Sequence, residues 1–325
     1  MHPLPTWRHL RRIRGTTSML IHRTALAFLS SLAAAGLCAA EIPTPVLDVP
    51  MLKSNKGHPV VEVRFPGDQR VECVVDTGAS AGVASEAVLV RAAADAEALP
   101  VLSVEGANGS VEVKRFRVSG LRIAELALPP MIFVQRDLVG LTGPSGKTAC
   151  VIGQSLLTPY APEFDGVEQR FRLWASDDVS DWTVRNTAQP TSFESPVAAF
   201  PVHVSAWGQD SIRWVLDTGA PMTSINYAAR SAMGLDSAQP VRTVERRGLD
   251  GQPVQQPVIV IPPTEIYAGL RRQTEVEVGD LPVLAALGIG GAQAGGLIGA
   301  DIISGQRLLV DYRTNRVWVA VSIEN

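Results

Sequence analysis

Two short stretches of this chain hold the residues best suited to acid–base chemistry. They are Cys73-Val-Val-Asp-Thr-Gly-Ala79 and Trp214-Val-Leu-Asp-Thr-Gly-Ala220. In each, an apolar, strand-like run stops at one carboxylate, Asp76 or Asp217, followed by a hydroxyl and a glycine. One such stretch is ordinary, because a strand that ends in an Asp-Gly type turn is hairpin chemistry. Two of them allow a shared site. Carboxyl groups facing each other cannot both ionise readily, since like charges repel in a low dielectric, so one keeps a proton while the other stays charged. The charged group can take a proton from a bound water and the protonated one can donate to a carbonyl oxygen. Water then adds to an amide without a covalent intermediate. On this reading Thr77 and Thr218 hydrogen-bond across the junction and fix the two loops. Gly78 and Gly219 let the two backbones approach where a side chain would hold them apart.

The elements that must position the aspartates recur in the same order in both halves. Pro59-Val-Val-Glu-Val63 and Pro201-Val-His-Val-Ser205 open them as alternating strands, 17 and 16 residues before the respective aspartates. Gly106-Ala-Asn-Gly109 and Gly248-Leu-Asp-Gly251 follow Asp76 and Asp217 by 30 and 31 residues, each as the tip of a hairpin. Val151-Ile-Gly153 and Leu297-Ile-Gly299 lie at 77 and 82 residues. Strand–turn–strand segments around Asp165 and Asp311 close each half. Five landmarks at near-equal spacing make an internal duplication. Alanine-rich Ser85 to Leu99 reads as a short helix, and the polar stretch Ala175 to Pro196 as a linker or surface crossover.

Composition bounds the rest. The 325 residues are 46% hydrophobic and 19% charged, with 28 glycines and 23 prolines, which favours many short strands and turns in a chain large enough for two domains. Residues 1–40 read as a secretory signal, with Arg8, Arg11, Arg12, Arg14 and Arg23 ahead of the small, apolar run Ala25 to Ala40. Translation could start at Met1 or Met19, and an apolar run of 16 residues is short for a membrane span. The domain plan is then 1–40 signal, 41–178 first lobe, 179–196 linker and 197–325 second lobe, exported to the periplasm. Taking the five leader arginines from 29 basic residues leaves 24 against 32 acidic ones, which disfavours a nucleic-acid partner.

Cysteine and histidine usage narrows the chemistry further. Cys73 and Cys150 remain after the signal; they could pair in an oxidising compartment or stay as free buried thiols. Only His58 and His203 remain as well, each on the opening strand of a different half, so both read as strand residues. That leaves no base for a serine or cysteine nucleophile and no ligand set for zinc. Gly146-Lys-Thr148 suggests a phosphate-binding loop, but Leu141 occupies the position where that motif needs glycine. No cofactor and no metal are expected.

Asp76-Thr-Gly-Ala79 and Asp217-Thr-Gly-Ala220, each with its downstream apolar-apolar-Gly run, resemble the aspartic proteases of the retropepsin and pepsin clan. The likeness is nearest to bacterial retropepsin-like domains, and it spans nearly all of residues 59–321. It implies an all-β fold with a few short helices: two duplicated, closed, barrel-like lobes with the active-site cleft between them and one catalytic aspartate per lobe. It also implies that the tips Gly106 to Gly109 and Gly248 to Gly251 are flaps over the cleft. The partner expected is a peptide or protein substrate, met by a monomer whose two lobes pair within one chain. Leu297-Ile-Gly-Ala-Asp301 keeps the Gly-x-Asp pattern of the family, whereas Val151-Ile-Gly-Gln-Ser155 has serine there, which could leave the first lobe less rigid. The competing reading is a non-catalytic duplicated β-module that binds peptides or cell-envelope partners in the cleft.

Overall fold

The computed structural model describes residues 44–320 apart from 93–94, 107–108, 148–149, 176–178, 180–181, 183–188, 193–200, 203–211, 248–252, 268–269 and 315. The expected signal segment, His203 and the tips at 107–108 and 248–251 therefore lie outside the described residues. Residues 43–325 form one compact unit, and its described elements are strands with a few short helices.

Two sheets share one plan. In the first, strand Pro59–Phe65 pairs with Gln69–Val75, which pairs in turn with Cys150–Ile152, Gly82–Ala84, Met131–Gln135, Gly109–Val118 and Ala96–Gly106. In the second, Pro201–Val202 is followed by Arg213–Leu216, Gly295–Ile298, Ser224–Ile225, Leu270–Val278, Pro253–Tyr267 and Arg242–Arg247. Parallel and antiparallel pairings alternate identically. Gln69–Val75 runs parallel to Cys150–Ile152, as Arg213–Leu216 does to Gly295–Ile298. Both aspartate-bearing strands are thereby interior ones, flanked by a partner on each side. That explains their unbroken apolar sequence: Cys73, Val74 and Val75, like Trp214, Val215 and Leu216, are almost wholly buried.

The closing hairpins do more than end each half. Ala161–Asp165 pairs with Arg307–Asp311, so the two hairpins merge into one six-stranded sheet. Its outer strands are Leu47–Pro50 on one side and Gln189–Ser192 on the other. The stretch read as a linker therefore contains a strand, one the sequence hides because Gln-Pro-Thr-Ser has no apolar alternation. Buried Glu163 and Asp165 lie within this sheet. Arg172 meets each of them at 2.9 Å, and Arg307 reaches Asp165 from the opposite half at 3.1 Å. Burial works against the Arg172 charge. The surrounding carboxylates of Glu163, Glu168, Asp165 and Asp48 outweigh it and hold the guanidinium more firmly protonated.

The helix expected over Ser85 to Leu99 is shorter. It covers Glu86–Arg91, capped by the Ser85 hydroxyl accepting from the Val88 amide. From Ala96 the chain is instead a strand, paired with Gly109–Val118. Cross-strand pairing outweighs the high helix propensity of alanine there, since tertiary context readily overrides a local preference.

Candidate active site

Each aspartate sits one residue past the end of its strand, and both loops are held from behind in the same way. The Asp76 amide donates to the Ile152 carbonyl and the Asp217 amide to the Ile298 carbonyl, both at 2.9 Å. Behind them, the Gln154 and Ala300 amides donate to the carbonyls of Ala79 and Ala220 at 2.9 and 2.8 Å. This is the work of the apolar-apolar-Gly runs. A Cβ on Gly153 would lie 2.1 Å from the Ala79 carbonyl oxygen, and one on Gly299 would lie 2.9 Å from that of Ala220, so only glycine fits.

Between the loops the two threonines form a closed, nearly symmetric set of hydrogen bonds. The Thr77 amide donates to Thr218 Oγ1 at 3.0 Å, and the Thr218 amide to Thr77 Oγ1 at 3.1 Å. Each hydroxyl then donates onward to the opposite strand, Thr77 to the Leu216 carbonyl at 2.8 Å and Thr218 to the Val75 carbonyl at 2.6 Å. Both threonines are fully buried, and the amide and hydroxyl of each are satisfied across the junction, which restrains the loops from sliding.

Asp76 and Asp217 come together at this junction, each carboxyl lying against the glycine of the opposite loop. Asp76 Oδ1 also accepts from the amides of Gly78 (2.7 Å) and Ala79 (3.1 Å), and Asp217 Oδ1 from that of Gly219 (2.9 Å). A Cβ on Gly219 would stand 2.1 Å from Asp76 Oδ2, and one on Gly78 would stand 2.9 Å from Asp217 Oδ1. Burial drives both pKa values up. For Asp76 the Asp217 charge adds to burial and holds the carboxyl well above the usual carboxylate range. For Asp217 the positive charge of Arg246 works against burial. The raised values belong to the two carboxyls as a pair, which therefore keeps a proton readily.

His58, read from sequence as a strand residue, supports this junction. It lies just ahead of strand Pro59–Phe65, is 5% exposed, and its Nδ1 is 2.7 Å from Ser54 Oγ. The Gly219 backbone, within the loop of the other half, also acts on the ring as a hydrogen-bond acceptor that favours its protonated form. A carbonyl only accepts, so the ring nitrogen facing it carries the proton and Nδ1 accepts from the Ser54 hydroxyl. Ser54 Oγ in turn accepts the amides of Lys56 and His58, each at 3.1 Å. The neutral imidazole is thus the form that fits. Burial, offset in part by the Gly219 bond, pushes its pKa down to about 4.

The halves differ where the sequence departs from its own repeat. Asp301 accepts from the Thr223 amide at 2.8 Å and from its hydroxyl at 2.9 Å, bracing the second loop. The first half has Ser155 and, at the place of Thr223, Gly82. A Cβ on Gly82 would fall 2.6 Å from the Phe133 ring, so an aromatic side chain packs where the second half uses hydrogen bonds. A second exchange lies one strand away. Cys73 and Cys150 face each other on adjacent strands, Cα atoms 4.3 Å apart, and form a disulfide. Their counterparts are Trp214 and Gly296, and the Trp214 ring covers the glycine so closely that a Cβ there would lie 2.5 Å from it. Serine at 155 accordingly does not leave the first loop unsupported.

The hairpin of Ala96–Gly106 and Gly109–Val118 is present, with Gly106 opposite Gly109. Ala107 and Asn108 lie outside the described residues, as do Gly248, Leu249, Asp250 and Gly251. Sequence reasoning missed Arg246, Glu277 and the role of His58. Each reaches the site through a fold contact, and none belongs to a local motif.

Paired carboxyls at the crossing of two Asp-Thr-Gly loops, in a mainly β fold, are the arrangement that the resemblance to aspartic proteases implies. Residues 61–156 match the family model described as aspartyl protease. No curated protein matches the chain. Among solved structures, the aspartic proteinase from Irpex lacteus is similar over 85% of this chain and 98% of its own, at 14% identity and a TM-score of 0.49.

Proposed function

We propose that the protein is an exported aspartic endopeptidase, built by duplication within one chain, in which Asp76 and Asp217 are the catalytic pair. The observation that carries this reading is the meeting of the two Asp-Thr-Gly loops at the threonine cross-bonds, which sets each carboxyl against the glycine of the other loop. Asp217, beside the Arg246 charge, is the ionised member, and Asp76 holds the proton. Water bound between them gives a proton to Asp217 as its oxygen attacks the amide carbon. Asp76 donates its proton to the carbonyl oxygen, producing a neutral tetrahedral diol. Transfer of the proton from Asp217 to the amide nitrogen, with return of a hydroxyl proton to Asp76, breaks the C–N bond and restores the pair.

The monomeric, periplasmic setting rests on the sequence. The basic and apolar stretch 1–40 reads as an export signal, and a disulfide between Cys73 and Cys150 suits an oxidising compartment. Among the described residues no helix is long and apolar enough to cross a membrane.

The test is peptide cleavage by the purified protein across pH, beside Asp76→Asn and Asp217→Asn. Each substitution alone should abolish cleavage. Retained cleavage in either variant refutes the shared pair. A wild type that binds peptides without cutting them is instead the binding module.

A further inference from the structure

Arg246 is the residue near the site that the reaction as described leaves without a full account. It lies on Arg242–Arg247, the strand that leads toward position 248, and it is 9% exposed. Its partner Glu277 donates its amide to the carbonyl of Thr223, six residues past Asp217, at 3.0 Å, and the Arg246 charge lowers the Asp217 pKa against burial. On one side its Nε faces Glu277 Oε2 at 3.2 Å, a contact with only 8% and 7% of the two side chains exposed. On the other side Nη1 is buried and has no hydrogen-bond partner. A buried guanidinium with a donor left over is costly unless something else satisfies it.

The first half provides an internal control. From Arg246 the sheet leads across to Val254, four residues along to Val258, and across again to Glu277. The same path in the first half runs from Val104 across to Val111, along to Arg115, and across to Val134. Two valines therefore occupy the places of Arg246 and Glu277. The hairpin and its sheet form without the ion pair, and a buried ion pair is often no better for stability than apolar side chains of similar volume.

We propose that Arg246 forms a carboxylate-binding subsite beside Asp217, so that the preferred substrates are peptides with a glutamate or aspartate close to the scissile bond. Glu277 holds the Nε edge and orients the guanidinium, which leaves Nη1 to receive the incoming carboxylate. The planar fork of arginine suits a carboxylate, and the buried setting strengthens the contact. Lysine, a point charge, would serve less well. The idea rests on the proteolytic reading and adds a substrate class to it.

The experiment compares peptide pairs that differ only by Glu against Gln, with the exchange stepped through each position around the cleaved bond. For the wild type, one position should give a kcat/KM at least about tenfold higher for the Glu peptide, equivalent to about 1.4 kcal/mol. In Arg246→Gln the ratio should fall below about twofold, and Arg246→Lys should retain part of it. Because the ratio is internal to each enzyme, a general loss of activity from the altered charge beside Asp217 does not affect it. No discriminating position in the wild type, or discrimination that persists in Arg246→Gln, overturns the subsite. If the wild type cuts no peptide, the proteolytic reading fails and the same pairs are used in equilibrium binding. Tighter binding of a Glu member then upholds the subsite, and equal or absent binding refutes it. The wild-type comparison stands even if the variants do not fold.

Discussion

Acid should weaken this fold through His58, and the size of the effect follows from its surroundings. In the unfolded chain the imidazole titrates near 6.5, whereas in the folded protein burial holds it at about 4. A group whose folded pKa is depressed contributes stability in full above its unfolded pKa and loses it as pH falls toward the folded one. The window is therefore pH 6.5 down to about 4. Its span of about 2.5 pH units, at about 1.4 kcal/mol each, amounts to about 3 kcal/mol. The carboxyls of Asp76, Glu163, Asp217, Glu277 and Asp301 act in the opposite sense. Burial raises each of them, so their protonation favours the folded state as pH falls. The measurement must then be a difference of differences. Denaturant unfolding, followed by tryptophan fluorescence, is run on wild type and His58→Gln at half-unit steps from pH 7 to 4. The variant starts less stable, because the Ser54 and Gly219 contacts are lost, and the gap closes by about 3 kcal/mol on acidification. A gap that stays constant with pH would show that His58 does not titrate in this way, and the reasoning from burial would be wrong.

Two further outcomes concern the junction and its bracing. Thr218→Val removes the hydroxyl that accepts from the Thr77 amide and donates to the Val75 carbonyl. It leaves two buried groups unsatisfied and should cost about 2–5 kcal/mol in denaturant unfolding, with cleavage reduced more than peptide binding. The disulfide closes a loop spanning 77 residues in sequence. Chain entropy puts its contribution at about 4 kcal/mol, so Cys73→Ala with Cys150→Ala should lower stability on that scale, and reductant should have no effect on the double variant.

Most of the plan was legible in the chain because it is repeated. Asp76, Thr77 and Gly78 against Asp217, Thr218 and Gly219 told of a shared junction, since each residue type had a local reason to be there: a carboxylate for the proton, a hydroxyl for the cross-bond, a glycine for the approach. The strand order was recoverable from apolar runs and spacing. The strand Gln189–Ser192 was not, because it pairs at a sheet edge and carries no apolar alternation of its own. Nor was the early end of the helix at Arg91, decided by the hairpin beside it.

What the sequence by itself determined is the junction: two identical short motifs whose residues bond to one another or to their own backbone, so that their identity suffices to define the arrangement. Only the tertiary structure decided how burial and neighbouring charge act on the carboxyls and what holds the loops still. Those depend on burial and on side chains brought in from distant strands, namely Arg246 beside Asp217, His58 on Gly219 and Phe133 over Gly82. Solvation and through-space charge are properties of the packed surroundings, and no local stretch of sequence contains them.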